Sequence, residues 1–128
     1  MSGASRSAVI VVNYACHQLI LENFAELDLA DLRADLIVVD NFTSNDELDA
    51  ITSTCNKQGW TLVPLEQNVG FGQGVNIGVE AALTRDIGVV LVVNPDVTMS
   101  TEVASGLLQS AGQGLTAVCP RIESPTGR

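Results

Sequence analysis

Positive charge is scarce in this chain: six Lys and Arg stand against 15 Asp and Glu over 128 residues, a formal net charge of −9. Contacts that release counterions from nucleic acid need cationic side chains, so the balance argues against a nucleic-acid partner. A small anionic ligand stays open, because helix N-termini or a bound dication can receive one. Cysteine is sparse as well. Cys16, Cys55 and Cys119 are odd in number and contain no C-x-x-C pair. That argues against a disulfide framework or a zinc site and fits reduced, buried thiols in a cytoplasmic protein. Long apolar runs are missing: the longest, Ile87 to Val93, is about a third of the ~20 residues that span a bilayer. No cationic leader followed by an apolar stretch opens the chain at Met1–Ser7, so no signal peptide is read. Charged residues are few at 16%, apolar residues reach 46% and mean hydropathy is +0.28. Such a composition builds a buried sheet rather than a disordered chain.

What is present is a regular alternation of β-branched runs and helical patterns. Ala8–Val12, "AVIVV", is a continuous apolar strand ending at Asn13-Tyr14. "CHQLILENFAEL" sets Leu19, Ile20, Phe24 and Leu27 at helical spacing, and "LIVVD", Leu36–Asp40, is a second strand closed by a carboxylate. Ser44 and Glu47 have capping-box spacing, which predicts a helix from Asn45 to about Gln58 with Gly59 as its stop. Thr61–Leu65 reads as a short third strand, followed by a glycine-rich turn and a helix over Gln73–Arg85. Ile87–Val93 reads as a fourth strand buried on both faces, Ser100–Ala111 as a helix and Leu115–Cys119 as a fifth strand. Strands alternating with helices predict an α/β fold: a doubly wound, mainly parallel sheet with helices on both faces and right-handed crossovers. One domain over residues 8–122 is expected, between a flexible leader (1–7) and a polar tail (123–128).

In open parallel sheets, ligands bind outside the carboxyl ends of the strands. Asp40 and Asp96 close two strands, with Asn13 at the end of the first strand and Asn94 two places before Asp96. One crevice along that edge is expected, although Asp and Asn also suit ordinary turns. The glycine segment does not complete a dinucleotide fingerprint. After Gly70-Phe71-Gly72 the third glycine position holds Val75, and the segment follows the third strand rather than the first. Glycine here is expected to let the backbone approach a ligand closely. A phosphoacceptor receiver domain shares the sheet class but needs an acidic pair after its first strand, where this chain has Asn13-Tyr14. His17, the single histidine, has no triad pattern nearby and no Gly-x-Ser-x-Gly elbow exists. It is expected at the surface or a helix end, and a serine or cysteine hydrolase is set aside. Asn41–Thr43 matches an N-glycosylation acceptor, as such triplets do by chance.

In order and spacing, "VIVVNY", "LIVVDN", "NVGFGQGVNIGV" and "VVLVVNPDV" resemble the nucleotide-sugar-binding half of family 2 glycosyltransferases with the GT-A (Rossmann-like) fold. The Gly70-Phe71 segment and the Asn94-Pro95-Asp96 strand end look most like the rhamnosyltransferase-like branch. The resemblance implies that Val12–Tyr14, with Asn13, and Asp40 with Asn41 hold a pyrimidine, Asp40 accepting its N3–H. It implies that Gly70, Phe71, Gly72, Gly74 and Asn76 line the nucleotide pocket. Asn94-Pro95-Asp96 takes the place of the family's Asp-x-Asp motif, so Asp96 would hold Mg²⁺ or Mn²⁺ on a dTDP- or UDP-linked sugar donor. The first acid of that motif is Asn94 here, and the family's Asp-Asn-Gly-Ser-x-Asp turn reads Asp40-Asn41-Phe42-Thr43-Ser44-Asn45, with Asp46 one place late. Family members continue well beyond this length. The implied enzyme is an inverting, metal-dependent transferase in cell wall or polysaccharide biosynthesis, acting on a saccharide or lipid-linked acceptor. Its catalytic base is expected outside this chain, and its full-length form in the cytoplasm or at the inner membrane face. Two further expectations follow: a non-catalytic nucleotide-binding or interaction module as the alternative function, and self-association through the face that truncation uncovers.

Overall fold

The β-branched runs become the strands of one parallel sheet. The computed structural model describes residues 6–111, in the order β1 Arg6–Asn13, α1 His17–Phe24, α2 Leu29–Leu32, β2 Ala34–Asp40, α3 Asn45–Gln58, β3 Thr61–Pro64, α4 Phe71–Leu83, β4 Ile87–Val92 and α5 Thr101–Ala111. The described strands are all parallel, in the order β3-β2-β1-β4. The register sets Val11 beside Val38 and Asn13 beside Asp40, so the polar strand ends share one edge. The fifth strand expected at Leu115–Cys119 and the tail at 123–128 lie outside the described residues.

Helices cover both faces. Val9, Val11, Leu36 and Val38 point to one side, where Ile20 and Phe24 of α1, Ile51 and Cys55 of α3 and Ala104 and Leu108 of α5 meet them. Ala8, Ile10, Ile37 and Ile87 point to the other, under Ala82 of α4. Each fully buried large side chain in these clusters contributes about 1.5–3 kcal/mol of hydrophobic stabilisation. α4 lies very close to the sheet. A Cβ at Gly78 would sit 2.6 Å from Ile10 Cγ2 and 3.1 Å from Val39 Cγ2, and one at Gly74 would sit 3.3 Å from Val12 Cγ1. Gly74, expected to line the nucleotide pocket, thus serves with Gly78 the approach of a helix to its own sheet.

Several element boundaries differ from expectation for local reasons. β1 begins at Arg6 instead of Ala8, because Ser7 finds register with Ala34 and the Arg6 guanidinium bonds Asp35 at 2.6 Å. α2 has no sequence pattern long enough to announce it. Asp28 caps it by accepting from Asp31 N at 3.0 Å, and Arg33, left-handed at φ 52°, ends it. α4 starts at Phe71, two residues early, because Gly70 at φ 86° is its N-cap. α3 runs over Asn45–Gln58 with Gly59 left-handed beyond it, as the capping pattern predicts. β4 is not buried on both faces. It is last in the described strand order, with Val89 and Val90 half-buried and Val92 41% exposed.

Candidate functional site

At the carboxyl edge of the sheet the strand ends surround a cleft of about 560 Å³. β1 and the start of α1 supply Val12, Tyr14, Cys16 and Leu19, and β2 supplies Asn41. The β3–α4 loop and first turn of α4 supply Asn68, Gly70 and Phe71, while the segment after β4 supplies Asn94, Pro95 and Asp96. Strands β2 and β3 run outward on one side of β1 and β4 lies on the other. The cleft therefore opens where the strand order reverses, the position at which open α/β sheets bind ligands.

Short-range chemistry shapes each wall. Asn41 Oδ1 accepts the Val69 N–H at 2.8 Å and Asn68 Oδ1 accepts the Gly70 N–H at 2.8 Å. These bonds tie the β3–α4 loop to the end of β2 and turn the chain into α4. With its oxygen committed, the Asn41 amide keeps its N–H₂ as a donor for the cleft. On the far side Asn23 Nδ2 donates to the Pro95 carbonyl at 2.7 Å and Thr98 Oγ1 donates to Asn23 Oδ1 at 3.0 Å, holding the turn that carries Asp96. Two aromatic rings stand at the mouth, Tyr14 at 58% exposure and Phe71 at 52%. Neutral amides and aromatic faces suit a nucleoside better than a free anion. None of the described cations, Arg6, Arg33, Lys57 and Arg85, lines the cleft.

Behind the wall lies a buried polar network. Asn13 Nδ2 donates to Asp40 Oδ1 and to Glu47 Oε2, each at 2.9 Å. Asn13 Oδ1 accepts the Cys16 N–H at 3.1 Å. Glu47 Oε2 also accepts the His17 N–H at 3.0 Å, and Oε1 lies 2.8 Å from His17 Nδ1. Asp40 is fully buried and its Oδ2 has no hydrogen-bond partner. Burial pushes the Asp40 carboxyl above its ordinary range; the Asn13 bond opposes this and the nearby Glu47 charge adds to it. Burial pushes Glu47 upward too, but the bonds from Asn13 and His17 outweigh it and leave Glu47 below its ordinary value. Desolvation raises both described thiols, Cys16 and, to about 11, Cys55.

Of the residues expected to form the site, Tyr14, Asn41, Gly70, Phe71, Asn94 and Asp96 meet in the cleft. Asn13 and Asp40 are buried behind it, Gly72 and Asn76 are exposed on α4, and Gly74 packs against Val12. Cys16, Leu19, Asn68 and Pro95 also line it. Leu19 belongs to the wall because it is 37% exposed rather than part of the core stripe with Ile20 and Phe24. His17 is a helix-end residue, as expected, but is held by Glu47. Glu47 itself was hidden by its capping spacing: Ser44 Oγ does accept the Glu47 N–H at 3.1 Å, yet the Glu47 side chain crosses to β1 instead of returning to Ser44. The two-residue step from Asn68 to Gly70 is the one signal that marked Asn68 as a turn former.

For a divalent cation, the described residues contain no cluster of three His, Cys, Asp or Glu side chains. The cleft offers one exposed carboxylate, Asp96, beside the exposed amide of Asn94. Hard cations take oxygen ligands and retain waters, so this set fits a metal shared with a phosphate-bearing ligand.

The family model described as glycosyl transferase family 2 matches residues 8–127. No curated protein sequence matches the chain. Among solved structures, the chain is similar to the mannosyltransferase PcManGT from Pyrobaculum calidifontis in complex with GDP-Man and Mn²⁺. The TM-score is 0.74 at 20% identity, over 97% of this chain and 37% of that one. It is also similar to S. aureus TarS 1-349 in complex with UDP-GlcNAc, with a TM-score of 0.62 at 23% identity, over 84% of this chain and 32% of that one. The chain thus spans about a third of each, and at these identities the likeness is one of fold.

Proposed function

The chain belongs to glycosyl transferase family 2, and from that premise we propose that its cleft binds the nucleoside-diphosphate end of a sugar donor. One observation carries this reading: residues from the ends of all four described strands, or from the turns beyond them, converge on one cleft at the point where strand order reverses. Tyr14 and Phe71 offer faces for the nucleoside, while Asn41 and Asn68 offer neutral polar groups for its edges. Asp40 Oδ2, a buried acceptor without a donor just behind the cleft wall, is the atom that the N3–H of uracil or thymine would satisfy once a wall side chain moves aside on binding. That assignment favours UDP- or dTDP-linked donors. Rhamnose as the sugar is supported by the Asn94-Pro95-Asp96 and Gly70-Phe71 segments.

Asp96, with Asn94 beside it, would hold Mg²⁺ or Mn²⁺ against the diphosphate. A bound dication supplies neutralisation of the charge that develops on the leaving diphosphate. The remaining contributions belong to the chain's own groups: the rings exclude water from one face of the nucleoside, and the loop pinned by Asn41 and Asn68 fixes its orientation. Transfer with inversion to a saccharide or lipid-linked acceptor also needs a base for the acceptor hydroxyl. We place that base and the acceptor site in a longer enzyme of which this domain is the donor-binding part.

Calorimetry with UDP or dTDP and Mn²⁺ tests the reading. Binding is expected in the wild type, and Asp96→Ala should weaken it by about tenfold or more, the ~1.4 kcal/mol of one lost ionic ligand. Equal affinity in the two proteins would remove Asp96 from the metal. No binding of any nucleoside diphosphate would overturn the donor-site reading itself.

A further inference from the structure

Glu47 lies outside the cleft, yet every side-chain bond it makes goes to the turn that builds one of the cleft's walls. It is the third residue of α3, and its side chain is 11% exposed. Its carboxylate receives Asn13 Nδ2 at 2.9 Å and the His17 N–H at 3.0 Å, and lies 2.8 Å from His17 Nδ1. Between those anchors the chain carries Tyr14 and Cys16, which line the cleft, and Ala15, whose φ is 55°. A left-handed conformation is unfavourable for a residue with a Cβ and persists only where the surroundings over-determine it. Here they do. Asn13 Oδ1 accepts the Cys16 N–H from inside the turn, the Asn13 carbonyl accepts the Asn41 N–H at 2.9 Å, and Glu47 holds both ends from outside.

We propose that Glu47 is a positioning residue for ligand binding, which acts by clamping the Asn13–His17 turn so that Tyr14 and Cys16 stand fixed against the cleft. The proposal rests on the nucleotide reading of the cleft for its ligand, and on the turn alone for its mechanism. Glu47 lines no part of the cleft, so its effect on affinity runs entirely through the geometry of the turn. Without the clamp the left-handed residue relaxes, and Tyr14 samples orientations that must be narrowed again when ligand binds.

The composition supplies clean reporters, since His17 and Tyr14 are the single histidine and the single tyrosine. The test compares wild type, Glu47→Ala and Glu47→Gln by imidazole ¹⁵N NMR, ring-labelled tyrosine NMR and UDP titration with Mn²⁺. In the wild type Nδ1 of His17 should carry a proton facing the carboxylate. In Glu47→Gln the side-chain oxygen can keep the Asn13 and His17 backbone donors while its NH₂ faces Nδ1. The imidazole should therefore switch to the Nε2–H tautomer while affinity stays within about threefold of wild type. In Glu47→Ala the tyrosine ring resonances should move toward random-coil positions and UDP affinity should fall about tenfold or more. A folded Glu47→Ala with wild-type affinity and an unchanged tyrosine signal would overturn the proposal. Should Glu47→Ala fail to fold, Glu47→Gln decides: an imidazole that keeps its wild-type tautomer would show that the clamp is not made. If the wild type binds no nucleotide, the donor reading fails, while the tyrosine and histidine signals still judge the clamp.

Discussion

Replacing Asp40 by Asn should make the protein more stable and its ligand binding weaker. The side chain is fully buried, with Oδ1 bonded to Asn13 and Oδ2 unpartnered. Burial raises its pKa, which means that the fold prefers the uncharged group. The sign then follows from linkage. An acid whose folded pKa is raised contributes stability that is fully present below its unfolded value, near 3.9, and is lost as pH rises through the folded value. Asn keeps the shape and the acceptor for Asn13 Nδ2 but never ionises, so it escapes that loss. Some charge assistance on the Asn13 bond disappears, and an NH₂ replaces the open oxygen. The raised pKa says that desolvation of the buried charge outweighs the assistance it gives the Asn13 bond. A gain of about 1 kcal/mol at neutral pH would raise Tm by roughly 3–6 °C in a domain of this size. Thermal melts from pH 4 to pH 8 should show the variant's advantage small at the acid end and growing with pH. UDP titration should show the opposite trade, a loss of about 1.5–3 kcal/mol, or roughly ten- to hundredfold, for one charge-assisted bond. A variant less stable than wild type at pH 7, or an advantage that does not change with pH, would refute the burial reasoning. Unchanged UDP affinity would refute the role of Oδ2 as a ligand acceptor.

Gly78→Ala should cost about 1–3 kcal/mol in urea unfolding, because its Cβ would meet Ile10 and Val39, whereas Gly106→Ala, within α5 and with nothing inside 4 Å of its Cβ, should gain up to about 1 kcal/mol. Phe71→Ala removes a ring that is 52% exposed, so stability should change by less than about 0.5 kcal/mol; UDP binding should weaken by the ~1–3 kcal/mol of a base–aromatic stack, and calorimetry beside a melt separates the two effects. Cys16, its pKa raised by burial and its side chain on the cleft wall, should alkylate slowly at pH 7, and more slowly still with UDP and Mn²⁺. Peptide mapping by mass spectrometry reads it, and equal labelling with and without ligand would place the nucleotide elsewhere.

The alternation of β-branched runs with helical stripes was enough to foresee a parallel sheet with helices on both faces, because burial on two faces leaves no other pattern for such strands. Capping chemistry was equally legible: Ser44 and Gly59 bound α3 because a hydroxyl acceptor and a left-handed glycine are local requirements. Packing was less so. Gly70, Gly72, Gly74 and Gly78 look alike in sequence, yet Gly70 supplies a positive φ at the cleft while Gly74 and Gly78 admit the sheet beneath α4. Only the distance between helix and sheet separates these uses. Glu47 shows the same limit. Spacing fixes where a side chain starts, but which of two acceptor-poor neighbours it reaches depends on how α1 and α3 stand side by side. Asp40 was placed correctly at its strand end, and only the structure shows that its neighbours bury it.

The charge around the cleft leads to a further expectation. With a net charge of −9 and no described cation on the cleft wall, the protein's field repels a free diphosphate. Of the nearby carboxylates, Asp40 is fully buried behind the wall and Glu47 is covered by donors from Asn13 and His17. That leaves Asp96 as the open negative charge on the wall. Without a divalent ion the dominant electrostatic term is repulsion, and salt screens it, the Debye length falling from about 30 Å at 0.01 M to about 10 Å at 0.1 M. UDP binding in EDTA should therefore be weak and should strengthen as salt rises over that range. With Mn²⁺ the metal–carboxylate and metal–phosphate attractions dominate, so added salt should weaken binding. Metal-free affinity that falls with salt, as at a cationic pocket, would show that positive groups outside the described residues reach the cleft, and that Asp96 is not left to meet the diphosphate through a metal alone.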